Sequence, residues 1–428
     1  MKIAIAGYGV EGKANYNYWS RDPANQLTIV DETTEPNFTV PAGAQTLLGP
    51  GVFGRLQDFD MVIRTAGLPP RNIVTNGRIW SGTNEFFAHC PAPIIGVTGS
   101  KGKGTTSSLI ASILNAAGKK VWLVGNIGEP SLNMLPQITQ NDIVVYELSS
   151  FQLWDIERSP QTAVVLFIEQ EHLDVHVDMT EYVAAKGNIG RFQSPDDLMI
   201  YDTENHYARA IANLSPAILI GYPSTQTAHV KDGFFWNGEQ KLCSVERLSI
   251  KGQHNVQNAI AAIDAVWRYT QDSEAIAEGL FRFMGLPHRL AYVASVDGVD
   301  YYDDSIATTP GSAMAALRAF SGPKTIILGG SSKGADFREL AKEMKRHDVN
   351  ALLIGDESNR LAEAFAAAGF DNYEVVPFTT MEALVARARQ KAVMGSVVLL
   401  SPAAASFGLF QNYIDRGNQF IDAVKQLQ

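Results

Sequence analysis

Residues 94–118 run Ile94-Ile-Gly-Val97, then Thr98-Gly-Ser-Lys-Gly-Lys-Gly-Thr-Thr106, then Ser107-Ser-Leu-Ile-Ala-Ser-Ile-Leu-Asn-Ala-Ala117 and Gly118. The apolar, β-branched start reads as a short strand and the glycine-rich stretch as a loop. Leu109, Ile110, Ile113 and Leu114 then recur on one stripe of a helix over Ser107–Ala117, which Gly118 ends. Strand, glycine loop and helix in that order form a phosphate cradle. Backbone N–H groups and the positive helix end meet the anion, a lysine reaches the outer phosphoryl oxygens, and a hydroxyl holds Mg²⁺. Gly99, Ser100, Lys101, Gly102, Lys103, Gly104, Thr105 and Thr106 are therefore the candidate ATP contacts. The strict pattern asks for Ser or Thr directly after the lysine. Gly104 stands there, which moves the Mg²⁺ hydroxyl to Thr105, with Thr106 second. The plain alternative is a tight turn with surface lysines.

The same rhythm extends outward. Apolar runs at Lys2–Ala6, Leu27–Val30, Met61–Arg64, Asp142–Tyr146 and Ala163–Ile168 alternate with helix-period segments, as in parallel α/β layers. It restarts near Tyr301 and continues through Thr325–Leu328, Ala351–Ile354, Tyr373–Val376 and Val397–Leu400. Pro91-Ala-Pro93 and Gly285-Leu-Pro-His-Arg289 precede the second and third series, which sets boundaries near residues 92 and 291. A chain of 428 residues agrees with about three domains.

A formal charge of -10 gives no basic field to gather nucleic acid, so an anionic ligand must be met by local devices. No run of apolar residues is long enough to span a bilayer, and the N-terminus passes from a short strand straight into glycines without the apolar core of a signal peptide. A cytoplasmic, monomeric protein without membrane partners is expected. Cys90 and Cys243 sit in no CxxC or Cys/His cluster, which argues against a disulfide framework and a structural zinc site.

Gly7-Tyr-Gly9-Val-Glu-Gly12 follows a strand and opens a helix, with Asp31 at the end of the next strand. That spacing suits NAD, and an NAD-binding oxidoreductase is one open reading. The physics is more general, because such a turn lets the backbone approach any phosphate at a helix N-terminus.

Further blocks lie downstream in order: Gly125-Asn-Ile-Gly-Glu-Pro130, Glu147-Leu-Ser-Ser-Phe-Gln-Leu153, Glu171-His-Leu-Asp-Val-His176, Ala185-Lys-Gly187, Gly252-Gln-His-Asn-Val-Gln-Asn258, Asp304-Ser305 and Ser401-Pro-Ala-Ala-Ala-Ser406. Together with the loop they resemble the Mur ligase family over essentially the whole chain, and within it the branch that adds D-glutamate to UDP-N-acetylmuramoyl-L-alanine. The resemblance implies an α/β fold in three domains: a Rossmann-like UDP-binding domain (1–91), a central P-loop ATPase-like domain (92–290) and a C-terminal dinucleotide-binding-like domain that receives the amino acid (291–428). It implies that ATP activates a carboxylate as an acyl phosphate, with two Mg²⁺ sites.

By the same resemblance, Lys103, Glu147, His172 and Lys186 are catalytic. Thr105, Glu147, His172 and Lys186 serve the metal, Lys186 as a carbamate. Asn255, Asn258, Arg289 and Asp304 bind ATP. Gly9, Val10, Asp31, Glu32, Thr65, Gly67 and Asn126 meet the UDP-sugar, and Thr308, Lys333, Ser406, Phe407 and Tyr413 meet glutamate. Read singly, His172 is a loop histidine, Lys186 a helix lysine, and Arg289 and Asp304 ion-pair partners.

Departures are concentrated in Asp303-Asp-Ser-Ile-Ala-Thr-Thr309, where the family typically shows NDSKATN: Ile306 replaces a lysine and Thr309 an asparagine. Glu171 stands for Asp, Thr65-Ala-Gly67 for Ser-Pro-Gly, and Phe407 for a common leucine. L-glutamate or another acceptor, a folylpolyglutamate synthase-like ligase suggested by Gly102-Lys-Gly-Thr-Thr106, and a binding module without catalysis stay open.

Overall fold

The computed structural model describes residues 1–34, 38–125, 130–173, 175–250, 252–332 and 334–427. They form two compact units, Met1–Phe283 and Met284–Gln428.

The first unit begins with a five-stranded parallel sheet in the order Gln45–Leu48, Gln26–Asp31, Lys2–Ala6, Met61–Arg64, Arg78–Ser81. The chain builds outward from the strand at residue 2 in one direction, then returns to its other side. That reversal opens a crevice at the carboxyl ends of Lys2–Ala6 and Met61–Arg64. Gly7 lies there at φ +88°, and a Cβ on Gly12 would fall 2.0 Å from the Gly7 carbonyl, so the turn closes only with glycine.

The second sheet of this unit runs Ile218–Tyr222, Leu198–Asp202, Thr162–Val165, Ile94–Thr98, Ile143–Glu147, Val121–Gly125, all parallel. Its central strands Ile94–Thr98 and Ile143–Glu147 are buried at every position, as strands covered by helices on both faces must be, while the two edge strands are only partly buried. The helix after the glycine loop spans Lys103–Ala116, so it starts four residues before the expected Ser107. Gly118 closes it at φ +72°, with its N–H on the Asn115 carbonyl and the Lys119 N–H on that of Leu114. The strand expected over Ala163–Ile168 leaves the sheet after Val165 because the next residues bond the loop instead. The Leu166 N–H goes to the Thr98 carbonyl, and the Phe167 carbonyl accepts from Ser100. A small antiparallel sheet, Ala228–Lys231, Phe234–Asn237 and Gln240–Ser244, completes the unit.

The second unit is one six-stranded sheet ordered Ala291–Val296, Val299–Asp303, Val397–Leu400, Lys324–Gly329, Val349–Ile354, Tyr373–Val375, parallel except for the first pair. Among the described residues no helix is long and apolar enough to cross a membrane.

Candidate active site

Strand Ile94–Thr98 lies between Thr162–Val165 and Ile143–Glu147, so the loop that follows opens mid-sheet, with Val97 in register with Glu147. Gly102, at φ +86°, precedes Lys103 at the helix start. The Lys103 ammonium donates to the Gly99 and Ser100 carbonyls at 3.0 and 2.9 Å. Ser100 Oγ lies 2.9 Å from the Tyr182 hydroxyl and accepts from the Glu169 N–H at 3.0 Å, and Lys101 pairs with Glu169. Asn258 sits behind the loop: a Cβ on Gly102 would come within 2.4 Å of its Oδ1. Its Nδ2 bonds Asn255 Oδ1 at 3.2 Å, so the i, i+3 pair shares the face turned to the phosphate loop.

Lys186, on the helix Met179–Arg191, is 1% exposed. Its ammonium donates to the Gly99 carbonyl at 2.8 Å and to Thr98 Oγ1 at 3.4 Å, and lies 4.6 Å from the Tyr182 ring centroid. Burial pushes its pKa well below the ordinary lysine value. The Lys103 charge adds to that shift, while Glu171 and Glu147 oppose it. An amine so shifted is held toward its neutral, nucleophilic form.

Glu147 ends its strand 4% exposed. Thr105 is also buried, and Thr106 Oγ1 and Ser107 Oγ are buried without a hydrogen-bond partner among the described residues. Unpartnered hydroxyl oxygens on the helix Lys103–Ala116 and a carboxylate at the end of the strand Ile143–Glu147 are the donor types that suit a hard divalent cation. Among the described residues no three His, Cys, Asp or Glu side chains are gathered, so hydroxyls and a modified lysine would have to complete such a shell. His172 sits at φ +57° with its ring half exposed, 3.8 Å from Glu171 and 4.9 Å from the Phe151 ring centroid.

At the first sheet, Gly9 and Val10 open the helix Val10–Trp19, and Thr65 and Gly67 follow the adjacent strand. Asp31 spends both carboxylate oxygens on the chain, accepting from Tyr8 N–H at 2.8 Å and Thr33 N–H at 3.1 Å, while Glu32 accepts from Gly51 N–H at 3.2 Å. A cavity of about 330 Å³ lies between the two parallel sheets of this unit, walled by Val10, Glu11, Asn15, Ala66 and Gly67 on one side and Tyr146, Ser149, Phe151 and Gln152 on the other. Glu11 carries no local signal for the site. Burial raises its carboxyl pKa, and its Oε2 accepts from Ala66 N–H at 2.8 Å. Tyr182 also escapes a motif reading, although it stands one turn before Lys186 on the same helix face. Asn126 and Lys333 lie outside the described residues.

In the second unit, Asp304 joins three loops. It accepts from Leu290 N–H at 3.1 Å and Ser401 Oγ at 2.7 Å, and the Ala403 N–H bonds the Ala307 carbonyl at 2.8 Å. His288 Nδ1 is 2.6 Å from Asp303 Oδ2, and fully buried Arg416 holds the Ser305 hydroxyl and carbonyl at 2.9 and 2.8 Å. Ser305 Oγ donates to the Tyr413 carbonyl at 2.7 Å. Ser406 is buried and Phe407 is 59% exposed on the same loop. Thr309 caps the helix Pro310–Ala319 by accepting from Ser312 N–H, which explains why a threonine is accommodated there. Thr308 is half-buried beside this cap, and Arg289 is exposed.

Burial raises the Asp304 carboxyl pKa from 3.8 to about 7. The folded chain then keeps a proton that the unfolded chain releases, so this group's contribution to stability falls as pH rises from near 3.8 to about 7. Melting curves of the wild type and Asp304→Asn across that window are expected to diverge in favour of the variant as pH rises, then run parallel. Curves parallel throughout would contradict the shift.

The Mur ligase middle domain family matches residues 97–266, and the Mur ligase glutamate ligase domain family matches 288–404. A relative in Clostridium tetani, named UDP-N-acetylmuramoylalanine--D-glutamate ligase, is 34% identical over all of this chain and 97% of its own length. The chain belongs to the Mur ligase family. A Clostridium novyi relative of the same name is 33% identical over the same shares. The fold agrees with Mur ligase structures at lower identity. UDP-N-acetylmuramate-alanine ligase MurC of Thermotoga maritima superposes with TM-score 0.60 at 19% identity over the full length of both chains. FolC of E. coli, solved with ADP, gives 0.59 at 19% over 81% of this chain and 93% of its own.

Proposed function

We propose that this Mur ligase joins D-glutamate to UDP-N-acetylmuramoyl-L-alanine at the expense of ATP, releasing ADP and phosphate, as a step of peptidoglycan precursor synthesis. The observation that carries the reading is one-third identity, end to end, with ligases named for that reaction. The phosphate loop supplies its physical basis. Residues 1–91 would take the UDP-sugar, 92–290 the ATP, and 291–428 the amino acid, in a monomer working in the cytoplasm.

An oxygen of the alanine carboxylate attacks the ATP γ-phosphorus, and ADP leaves. The glutamate nitrogen then attacks the acyl carbon, the C–O bond to phosphate breaks, and the amine gives up its proton. Such transfer rests on alignment and charge neutralisation. Residues 99–106 hold the phosphates through backbone N–H groups, and Lys103 neutralises charge at the transferred group. Asn255 and Asn258 orient the nucleotide, Arg289 and Asp304 its phosphates and ribose, and Lys333 meets a glutamate carboxylate with Thr308, Ser406, Phe407 and Tyr413 around it. Gly9, Val10, Asp31, Glu32, Thr65, Gly67 and Asn126 meet the UDP-sugar. Thr105, Glu147, His172 and carbamylated Lys186 would hold Mg²⁺, which spreads phosphoryl charge when bound. The unpartnered buried hydroxyls of Thr106 and Ser107, next to Thr105 in the chain, and the shifted lysine amine fit that group.

Phosphate release measured over D-glutamate, L-glutamate, D-aspartate and L-lysine tests the reading. It is expected only with D-glutamate, ATP, Mg²⁺ and UDP-N-acetylmuramoyl-L-alanine together. Release that depends on tetrahydrofolate, or none with any amino acid, overturns it.

A further inference from the structure

Arg64 ends the strand Met61–Arg64 and is fully buried. Its guanidinium bonds the main chain of a residue on each wall of the 330 Å³ cavity. Toward the first wall, Nη1 donates to the carbonyls of Thr65, Ala66 and Leu68, each at 3.3 Å. Toward the second, Nη2 donates to the Phe151 carbonyl at 2.9 Å. Asp155 closes the fork, with Oδ2 2.6 Å from Nε and Oδ1 on Nη2. Every nitrogen of the group is thus engaged with the chain, and a guanidinium has no acceptor to offer. Arg64 therefore acts on a ligand only through what it holds.

What it holds is specific. Ala66 and Phe151 are themselves cavity-lining residues on opposite walls, and Ala66 is further tied by its N–H to Glu11. None of these hydrogen bonds of Arg64 goes to residues 98–106. A planar fork with fixed donor directions sets a distance, which a flexible ammonium cannot.

We infer that Arg64 and Asp155 are a positioning pair that fixes the separation of the two cavity walls and so sets the affinity for the UDP-linked substrate, independently of the nucleotide. The inference rests on the proposed function for the identity of that ligand.

The test uses the full chain, with KM and kcat for each substrate and binding of UDP-N-acetylmuramoyl-L-alanine by calorimetry. Arg64→Met is expected to raise KM for the UDP-substrate by about tenfold or more, with KM for ATP unchanged and kcat at saturation within about threefold. Arg64→Lys, which keeps charge without the fork, should recover little of the loss. Asp155→Asn, close to isosteric, should show the same selective rise even if Arg64→Met folds poorly. A role in folding alone would lower kcat through the active fraction, or shift both KM values, and either pattern overturns the inference. So does a folded Asp155→Asn with wild-type KM for the UDP-substrate. Wild-type protein that binds ATP but not the UDP-substrate would instead remove the functional reading, and the inference with it.

Discussion

Lys186→Met is expected to cost about 10³ in kcat while raising the melting temperature. The two effects share one cause. The ammonium is 1% exposed, faces another lysine, and is satisfied chiefly by the Gly99 carbonyl. Burying a cation in that setting is unfavourable, and a methionine of similar reach removes the charge without opening a large void. The pH dependence follows from linkage. The folded-state pKa is depressed, so between it and the ordinary value of 10.5 the unfolded chain binds a proton that the folded chain does not. Wild-type stability therefore rises with pH through that window, and the advantage of Lys186→Met is largest near neutrality and shrinks toward pH 10.5. Calorimetric melts from neutral to alkaline pH in CO₂-depleted buffer, paired with a coupled phosphate assay, check both parts. Activity retained within about tenfold would remove Lys186 from the machinery. A fall in melting temperature would contradict the burial argument.

Gly102→Ala is expected to lower kcat/KM for ATP by about 10² and to destabilise the fold by about 1–2 kcal/mol. Gly102 sits at φ +86°, and its new Cβ would stand 2.4 Å from Asn258 Oδ1. The backbone strain and the displaced carboxamide both fall on the loop that turns into the helix at Lys103. Gly43 separates the two contributions. It has φ +78° with nothing within 4 Å of a built Cβ, so Gly43→Ala should show a similar loss of stability without an ATP effect. Equal kinetics in the two variants would mean that the Gly102 loop does not contact the nucleotide.

Much of this architecture is legible in the sequence because its central signals are local. Ile94–Val97 and Leu109–Leu114 announce a buried strand and a helix stripe by periodicity, and the strand is buried at every position while Leu109, Ile110, Ile113 and Leu114 are all buried. Val121–Gly125 and Ile218–Tyr222 are less legible because edge strands are half-covered and carry mixed patterns. The antiparallel strands around Phe234–Asn237 did leave a mark, since Asp232-Gly233 and Asn237-Gly238 are hairpin dipeptides, but one masked by the surrounding α/β rhythm. At the site, motif blocks point to Lys103, Glu147, Lys186 and the asparagine pair. Arg64 is invisible by any such means because its carboxylate partner is 91 residues away, and only the folded chain brings them together. Tyr182 and Glu11 belong to the same class: their meaning lies in Ser100 and Ala66, across other segments of the chain.

The Gly99 carbonyl is claimed by two lysine side chains at once, Lys103 and Lys186. A phosphoryl group arriving at that loop thus competes with a main-chain oxygen for donors already in use, and its binding is an exchange of bonds more than an addition of them. Exchange makes the net gain small in the ground state. The Lys103 cation would then be most valuable where phosphoryl charge is most displaced, which would favour turnover over tight holding of either nucleotide. Release of ADP would be eased by the reverse exchange, as Lys103 returns to the Gly99 carbonyl.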